Sequence, residues 1–200
     1  MKILLATNNS HKVSEFRRCF AEAGIDAELI TIAESGFRGE IEETAETFEG
    51  NAYIKAKTLC GYSGLCTVAD DSGLCVEALG GAPGVHSSRF AGEPCDDAAN
   101  NAKLLRELKD VPDEARGAKF VCTVCAVRPD GKTAYFRGET QGFIIHGPRG
   151  AGRFGYDPLF FYPPANKTFA EMEGAEKDAV SHRGKAIRKL AEHMDFFTEA

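Results

Sequence analysis

Short apolar runs along this chain alternate with longer segments in which apolar residues recur every three or four positions. The short runs predict buried strands, and the longer spacing predicts helices with one buried face. The predicted strands cover residues 2–6, 28–32, 66–69, 118–127 and 133–141, with a further strand beginning at 158. The predicted helices are one carrying Val13, Phe16 and Phe20, one over about 48–60, one capped by Asp96 or Asp97, and one over about 182–197. Since strands and helices mix without strict alternation, we predict an α/β fold with a mixed sheet.

Length and composition limit the kind of protein this can be. The chain has 200 residues, of which 43% are hydrophobic, and this fits a single domain over 1–200 or two closely joined lobes. The first apolar run is too short for the core of a signal peptide, and no apolar stretch is long enough to cross a bilayer. We therefore expect a cytoplasmic protein with no membrane partner.

Charge and cysteine content narrow the function further. A net charge of −6 argues against a nucleic-acid partner, which would require a basic face. It allows a small polyanionic substrate that is met by a local basic pocket and a divalent metal. The seven cysteines are odd in number and do not indicate a disulfide framework. Cys122 and Cys125 form a C-x-x-C within a predicted strand, where they point to opposite faces, so we expect core packing and not redox chemistry.

Two motifs in the sequence are misleading. Residues 150–155 match G-x-G-x-x-G, but Pro148 precedes them and Pro158 prevents an orderly helix after them, so a dinucleotide site is not expected. Residues 131–133 resemble the end of a phosphate-binding P-loop. Ala126, inside a predicted strand, stands where the first glycine of that motif is required, so this segment is interpreted as a hairpin turn.

A polar segment between the first strand and the first helix is the first candidate site. Backbone N–H groups and the helix dipole attract anions at a helix N-terminus. Lys12 adds a positive charge, and Thr7, Asn9 and Ser10 add neutral donors. A helix cap surrounded by solvated polar residues uses the same residue types, so that alternative remains open. The segment comprises Thr7, Asn8, Asn9, Ser10, His11 and Lys12.

Adjacent carboxylates form the second candidate site. Asp70 and Asp71 end an apolar run, at the edge of the sheet where α/β proteins place ligands. Neighbouring strand residues face opposite ways, so one aspartate can hold a metal or activate water while the other pairs with a lysine such as Lys55. The acidic run over 40–46 could supply a further magnesium ligand. An aspartate turn and a solvated acidic face are the alternatives.

Aromatic and basic residues near the C-terminus form the third candidate site. Phe154 lies in a glycine-flanked loop and is suited to stacking on a flat base. His182 and Arg183, with nearby backbone N–H groups, can donate to a carbonyl on that base. An ordinary helix N-terminus at residues 181–183 is the alternative.

In combination these motifs closely resemble the inosine triphosphate pyrophosphatase family, whose members act on non-standard purine nucleotides. The resemblance covers nearly the whole chain, and its motifs are specific in spacing as well as in residue type. The matching segments are Ala6–Lys12, Glu42–Thr44, Asn51–Ala56, Ala69–Leu74, Gly80–Gly84, the region from Ser88 to Gly92, Gly152–Pro158 and Ser181–Gly184.

The resemblance implies a two-lobed α/β fold, in which an elongated mixed sheet is flanked by helices and the active-site cleft lies between the lobes, and it implies a homodimer. It implies Mg²⁺-dependent hydrolysis of ITP, dITP and XTP to the monophosphate and pyrophosphate. The implied catalytic residues are Asp71, Asp70 and Lys55, and the implied metal ligands are Glu43 and Asp71. The implied substrate-binding residues are Thr7, Asn8, Asn9, Ser10, His11, Lys12, Ser72, Phe154, Gly155, Tyr156, Asp157, Lys177, His182 and Arg183.

One position departs from the family pattern. Members commonly have Glu before the Asn-Ala pair, whereas this chain has Gly50 there and Glu49 one place earlier, where a helix points it elsewhere. For base choice, we hypothesise that Phe154 stacks on the purine and that the turn at 181–183 donates to its 6-keto group. A nucleotide-binding sensor without turnover and a pyrophosphatase for modified pyrimidines are the alternative functions.

Overall fold

A computed structural model describes residues 1–152 and 154–198 and places their strands in one seven-stranded sheet of order β2-β1-β3-β4-β5-β6-β7. Strand β1 pairs in parallel with β2 and β3, whereas β6 pairs antiparallel with β5 and β7. The predicted mixed sheet is therefore confirmed. The strands are β1 Lys2–Leu5, β2 Glu28–Thr31, β3 Thr67–Val76, β4 Gly117–Val127, β5 Thr133–Ile144, β6 Phe160–Tyr162 and β7 Lys167–Thr168.

The helices flank this sheet and agree with most of the sequence expectations. They are α1 Ser10–Glu22, α2 Ile32–Ser35, α3 Phe48–Ser63, α4 Asp97–Glu107, α5 Gly174–Val180 and α6 His182–Ala191. The short helices α2 and α5 were not predicted. The last predicted helix was too long, because α6 ends at Ala191 and only a 3₁₀ turn over Met194–Phe197 follows. No helix within the described ranges is both long and apolar enough to span a bilayer.

Strand β3 corrects the sequence analysis at the aspartate pair. The strand was expected to end at Ala69, but it continues through both aspartates to Val76. Leu74 and Val76 are fully buried, and the backbone N–H of Leu74 donates to Ser87 Oγ at 2.9 Å. This packing keeps the chain extended past the polar residues, so Asp70 and Asp71 lie within a strand and not on a turn.

The chain forms two compact units. The first unit consists of Met1–Asp71, Cys122–Gly138 and the segment that begins at His182, and the second consists of Ser72–Val121 and Glu139–Ser181. Strands β3, β4 and β5 contribute residues to both. The interpretation of 1–200 as one domain stays a prediction.

Strand alternation organises the core of the first unit into two clusters. Ile3 and Cys122 lie in a cluster with apolar residues of α1 and α6, whereas Leu4 and Cys125 lie in a cluster with apolar residues of α3. Residues next to each other on a strand point to opposite faces, as do residues three apart, and this explains the division. Both cysteines are fully buried, so the expected core role of the C-x-x-C is confirmed.

The second unit has a core of its own. Leu74 and Val76 of β3 pack there with Leu104 of α4 and with Leu108, which directly follows that helix. Aromatic rings fill much of the remaining space, with Phe160 at 4.7 Å from Phe120 and 4.8 Å from Phe169 between ring centroids. Helix α4 is therefore anchored by the buried residues Asn100 and Leu104, while the other residues of its first turns are exposed or only partly buried.

Candidate active site

The carboxylate of Asp70 is completely buried and is held by two cations of the first unit. Lys12 Nζ of α1 lies 2.9 Å from Asp70 Oδ2, and Arg183 Nε of α6 donates to the same oxygen at 3.1 Å. Burial alone would raise the pKa of Asp70, but the positive charges of Lys12, Arg183 and Lys55 more than offset it and hold that pKa below its ordinary value. Asp70 is thus a fixed negative charge at neutral pH.

Arg183 is a buried ion-pair partner in this arrangement. Only 2% of the residue is exposed, and its guanidinium also donates to the buried carboxylate of Glu15 on α1. These contacts differ from the sequence hypothesis, in which Arg183 donates to the 6-keto group of a base. The physical reason is that two carboxylates buried in the protein interior require a cation, and the first turn of α6 supplies it.

The carboxylate of Asp71 has different neighbours. Asn51 Nδ2 of α3 donates to Asp71 Oδ2 at 3.2 Å, and Lys55 Nζ, one helical turn further on, lies 3.7 Å from Asp71 Oδ1. The same ammonium lies 2.9 Å from Glu43 Oε2. Asn51 is itself fixed, because its Oδ1 accepts the backbone N–H of Ala45 at 2.9 Å. Asp71 and Glu43 therefore flank one lysine.

Burial and charge act differently on the two neighbouring aspartates. Burial and the charge of Glu43 raise the pKa of Asp71, and the positive charges of Lys55 and Lys12 only partly oppose them. Asp71 keeps 11% of its side chain exposed, whereas Asp70 keeps none. Burial lowers the pKa of Lys55, but Asp71 and Glu43 more than reverse this, so Lys55 stays charged. Asp71 is the carboxylate of the pair that can meet water or a ligand.

The carboxylates of Glu43 and Asp71 fit a magnesium ion. Mg²⁺ takes one or two protein carboxylates and completes its octahedral shell with waters and substrate phosphate oxygens. Among the described residues no group of three or more His, Cys, Asp or Glu side chains surrounds a common point. Two carboxylates beside the ammonium group of Lys55 therefore suit an ion that brings water and phosphate oxygens as its other ligands. They do not suit a zinc site, which requires three or four protein ligands.

The segment of residues 7–12 shows features of both sequence interpretations, a helix cap and an anion-binding helix N-terminus. Asn9 is the N-cap of α1, and its Oδ1 accepts from the backbone N–H groups of His11 at 3.0 Å and Lys12 at 3.2 Å. Thr7 Oγ1 accepts from Asn9 N at 3.1 Å. Local caps thus occupy these amides, while the side chains of Asn8, Asn9, Ser10 and His11 are exposed at the end of β1.

The departure at Gly50 has a local structural explanation. A Cβ built on Gly50 would lie 2.5 Å from the Cβ of Ala45, so a larger residue requires the chain to shift there. The carboxylate of Glu49 accepts from Thr123 Oγ1 at 3.0 Å and from Arg137 Nη1 at 2.6 Å. Glu49 therefore binds to β4 and β5, as the helical spacing predicted, and takes no part in the Glu43–Lys55–Asp71 cluster.

The second unit contains the remaining candidate residues. Lys177 Nζ of α5 lies 2.5 Å from Asp157 Oδ2 and 5.3 Å from the ring centroid of Phe154. The hydroxyl of Tyr156 donates to the carbonyl of Ser87 at 2.8 Å, and burial raises the pKa of this tyrosine. Tyr156 is buried, whereas Phe154 remains partly exposed. Phe154 is therefore the aromatic ring of this loop that a ligand can meet.

Ser72 and His182 differ in accessibility. Ser72 follows Asp71 on β3 and is half-buried. His182 is only 4% exposed and begins α6.

The structure thus brings Lys12, Lys55, Asp70 and Asp71 together within the first unit, as the sequence hypothesis required. Sequence reasoning assigned no site role to Glu15 or Asn51. Two signals could have identified them. Glu15 is an acidic residue next to the predicted buried position Phe16 and three residues after Lys12. Asn51 lies four residues before Lys55, and a helix places these two residues on one face.

Comparisons with known proteins agree with this geometry. The model of the Ham1 family matches residues 3–193. A dITP/XTP pyrophosphatase of Exiguobacterium sibiricum is 47% identical over 197 residues, covering 98% of both chains. One of Lactobacillus acidophilus is 49% identical, covering 94% of this chain and 95% of its own. The solved Ham1 protein of Staphylococcus aureus superimposes with a TM-score of 0.87 at 38% identity, covering 98% of this chain and 99% of its own. The predicted resemblance is confirmed, and the chain belongs to the Ham1 family.

Proposed function

We propose that this chain hydrolyses non-standard purine nucleoside triphosphates, dITP, ITP and XTP, to the monophosphate and pyrophosphate. The names of its relatives support the reaction and the substrate class. The observation in this chain that carries the proposal is the contrast between the neighbouring aspartates. Asp70 is sealed by Lys12 and Arg183, and Asp71 remains accessible next to Lys55. Cleavage of a phosphoanhydride is favoured by charges fixed in position and by a carboxylate that can orient or deprotonate the attacking water.

Asp71 is the proposed general base. Its accessible carboxylate accepts a proton from the attacking water, whose oxygen forms a bond to the α phosphorus. The bond from the α phosphorus to the oxygen that bridges it to the β phosphorus breaks, and pyrophosphate leaves with that oxygen. Asn51 and Lys55 hold the two oxygens of Asp71 in place. Lys12, with the polar side chains of residues 7–11, is the proposed triphosphate-binding group. Asp70 would orient Lys12 through the 2.9 Å ion pair.

Glu43 and Asp71 are the proposed ligands of a magnesium ion. The bound ion would offset the charge of the triphosphate and of the leaving pyrophosphate. Lys55 presently lies against both carboxylates, and its charge would be shared with the phosphates once the ion binds. Without such neutralisation a triphosphate would meet carboxylates of the same sign. Excess chelator is expected to abolish turnover.

Phe154 is the proposed stacking platform for the base. Lys177, which pairs with Asp157, contacts its ring with Nζ 5.3 Å from the ring centroid. Base stacking on an aromatic ring does not depend on the exocyclic groups. The buried contacts of Arg183 support a role in holding Asp70 and Glu15, and not a direct contact with the 6-keto group.

Pyrophosphate release across a panel of nucleotides in the presence of Mg²⁺ tests the proposal. We expect dITP, ITP and XTP to be far better substrates than dATP, dGTP and the pyrimidine nucleotides. Tight binding of dITP without release would indicate a sensor, and selective release from a modified pyrimidine would indicate a different substrate class. The homodimer implied by the resemblance remains a prediction, which light scattering after size-exclusion chromatography tests directly.

A further inference from the structure

Two side chains of α4 hold the backbone N–H and the backbone carbonyl of one residue, Gly155, in the loop that carries Phe154. The backbone N–H of Gly155 donates to Asp97 Oδ2 at 2.7 Å. Asn101 Nδ2 donates to the carbonyl oxygen of Gly155 at 2.8 Å. Gly155 has a φ of +53°, in the left-handed region, so the loop takes a sharp local bend at the point where it is held.

The helix is well placed to act as a fixed support for this loop. Asp97 and Asn101 are four residues apart, so they lie on the same face of α4 one turn from each other. Capping of the helix does not use Asp97, because Asp96 is the N-cap and its Oδ1 accepts from Ala98 N at 2.8 Å and Ala99 N at 3.1 Å. Leu104, seven residues after Asp97, lies on the same face and anchors α4 in the core of the second unit.

Asn101 carries an additional sign that its role is not packing. Its Oδ1 is buried and has no hydrogen-bond partner within the described part of the chain. Burying an unpaired acceptor is unfavourable, and an apolar side chain of similar size would avoid this cost. A polar residue kept at an energetically unfavourable position is the pattern found where function, and not stability, determines the side chain.

We propose that Asp97 and Asn101 are positioning residues that fix the backbone N–H and carbonyl of Gly155 and thereby present the ring of Phe154 to the purine base. This inference rests on the proposed function, in which Phe154 stacks on the base. The two residues after Gly155 are held separately, Tyr156 by the carbonyl of Ser87 and Asp157 by Lys177. The carbonyl of Phe154 accepts from the backbone N–H of Asp157 at 3.2 Å, and the hydrogen bonds to Gly155 add a restraint from α4 one residue away from Phe154.

The test compares variants of α4 in the full-length protein. Asn101→Leu removes the donor to Gly155, and Asp97→Ala removes the acceptor. Asp97→Asn is the conservative control, because its amide oxygen can still accept from Gly155 N. Lys103→Met is the matched control, since Lys103 Nζ on the same helix donates to the carbonyl of Phe90 at 2.7 Å and not to the Phe154 loop.

We expect Asn101→Leu and Asp97→Ala to raise KM for dITP and XTP roughly tenfold, the scale of one lost hydrogen bond or part of a stacking contact, with kcat within about twofold of wild type. Asp97→Asn should restore most of the affinity, and Lys103→Met should keep the wild-type KM. The Tm of Asn101→Leu should be equal to or above that of wild type, which a purely structural role would not produce.

The outcomes separate the inference from the function on which it rests. If the wild-type enzyme releases no pyrophosphate from dITP, the proposed function is wrong. If the wild-type enzyme is active and both Asp97→Ala and Asn101→Leu keep its KM, the positioning role is overturned. An equal rise of KM in Lys103→Met would also overturn it, because the effect would then belong to α4 as a whole. Should Asn101→Leu fail to fold, the exposed Asp97 variants give the answer alone.

Discussion

Asp70 and Asp71 are neighbours in the chain, yet their side chains lie in different surroundings. Asp70 lies in a sealed cluster with Lys12, Arg183 and, through Arg183, Glu15. Asp71 lies in a partly open cluster with Asn51, Lys55 and Glu43. Because adjacent residues of a strand point to opposite faces, one peptide unit separates a fixed charge from a reactive one.

The comparison shows how a fold can use two identical side chains for different tasks. Two cations compensate the buried charge of Asp70, so this carboxylate is fixed in charge and in position. Asp71 has weaker compensation and retains some exposure, so it can exchange its partners for water, metal or phosphate. Substitutions in the two clusters should therefore have different effects, and this difference can be measured.

The largest effect is expected from Asp71→Asn. The amide keeps the shape and can still hydrogen bond, but it cannot accept a proton from water or contribute a negative charge to the metal. We expect kcat to fall roughly 10²–10⁴-fold, the usual contribution of a positioned general base. Thermal unfolding should stay within a few degrees of wild type. A variant with near wild-type turnover in a pyrophosphate-release assay would move the catalytic role away from Asp71.

Breaking the sealed cluster should chiefly affect stability. Arg183→Met leaves Glu15 without this partner and leaves Asp70 with Lys12 alone. Removing one partner of a buried ion pair costs about 3–5 kcal/mol, and we expect a loss near the lower end because Lys12 remains. Urea denaturation measures this loss, and Arg17→Met, an exposed substitution on α1, is the control.

Kinetics of the same variant sharpen the assignment of Arg183. If Arg183 acts by holding Asp70, kcat/KM for dITP and for dATP should fall by similar factors. A selective loss for dITP, which narrows the gap to dATP, would restore the hypothesis of a direct contact between Arg183 and the 6-keto group. Measuring both nucleotides on correctly folded protein distinguishes the two roles.

A more moderate effect is expected from a substitution of Glu43 in the partly open cluster around Asp71. Glu43→Gln removes one proposed magnesium ligand and one partner of Lys55. We expect the Mg²⁺ concentration for half-maximal activity to rise roughly tenfold, by analogy with the loss of one charged ligand interaction. Stability should hardly change, because exposed ion pairs contribute about 0–1 kcal/mol. Glu42→Gln, one residue earlier and exposed, is the control, and an unchanged Mg²⁺ requirement in Glu43→Gln would argue against the metal role.

Much of this arrangement could be predicted from local sequence signals. The apolar run before Asp70 indicated a buried strand that reaches the aspartates, and the polar segment after β1 indicated a strand end. The alternation rule indicated that the aspartates would face apart. The spacing of apolar residues in α1, α3 and α4 predicted these helices. Each of these features depends on residues close together in the chain.

What the sequence did not reveal depends on long-range contacts. Glu15 and Arg183 are 168 positions apart, and nothing near either residue indicates that they meet. Arg183 therefore resembled a donor on an accessible turn. Likewise the predicted end of β3 came too early. Leu74 and Val76 indicate a longer strand only once it is known that they pack in the core of the second unit. Long-range burial explains the later end of β3 and the ion pairs of Arg183, while the contact of Arg183 with a 6-keto group stays an untested prediction.

The smallest expected effect is on the rate at which the thiol of Cys122 is alkylated. This rate reports whether the sealed cluster around Asp70 stays closed to solvent. Its Sγ lies 3.9 Å from Asp70 Oδ2, and burial, followed by the negative charge of Asp70, raises the pKa of this thiol far above its usual value. The thiolate is the form of the cysteine that attacks an alkylating reagent, so a raised pKa and burial both slow the reaction. At pH 8 the exposed Cys95 should react at once, whereas Cys122 should react only as the protein opens.

The rate of Cys122 modification should increase in Arg183→Met, since the cluster around Asp70 is then held by Lys12 alone. Cys125 is the internal control, because burial raises its pKa to about 12 and it packs on the other face of β4, in a cluster that does not contain Asp70. Alkylation followed by peptide mass analysis gives both rates in one sample. A selective increase at Cys122 would indicate local opening of the sealed cluster. Equal increases at both cysteines would indicate global unfolding, and the sealed cluster would then have no stability separate from the rest of the unit.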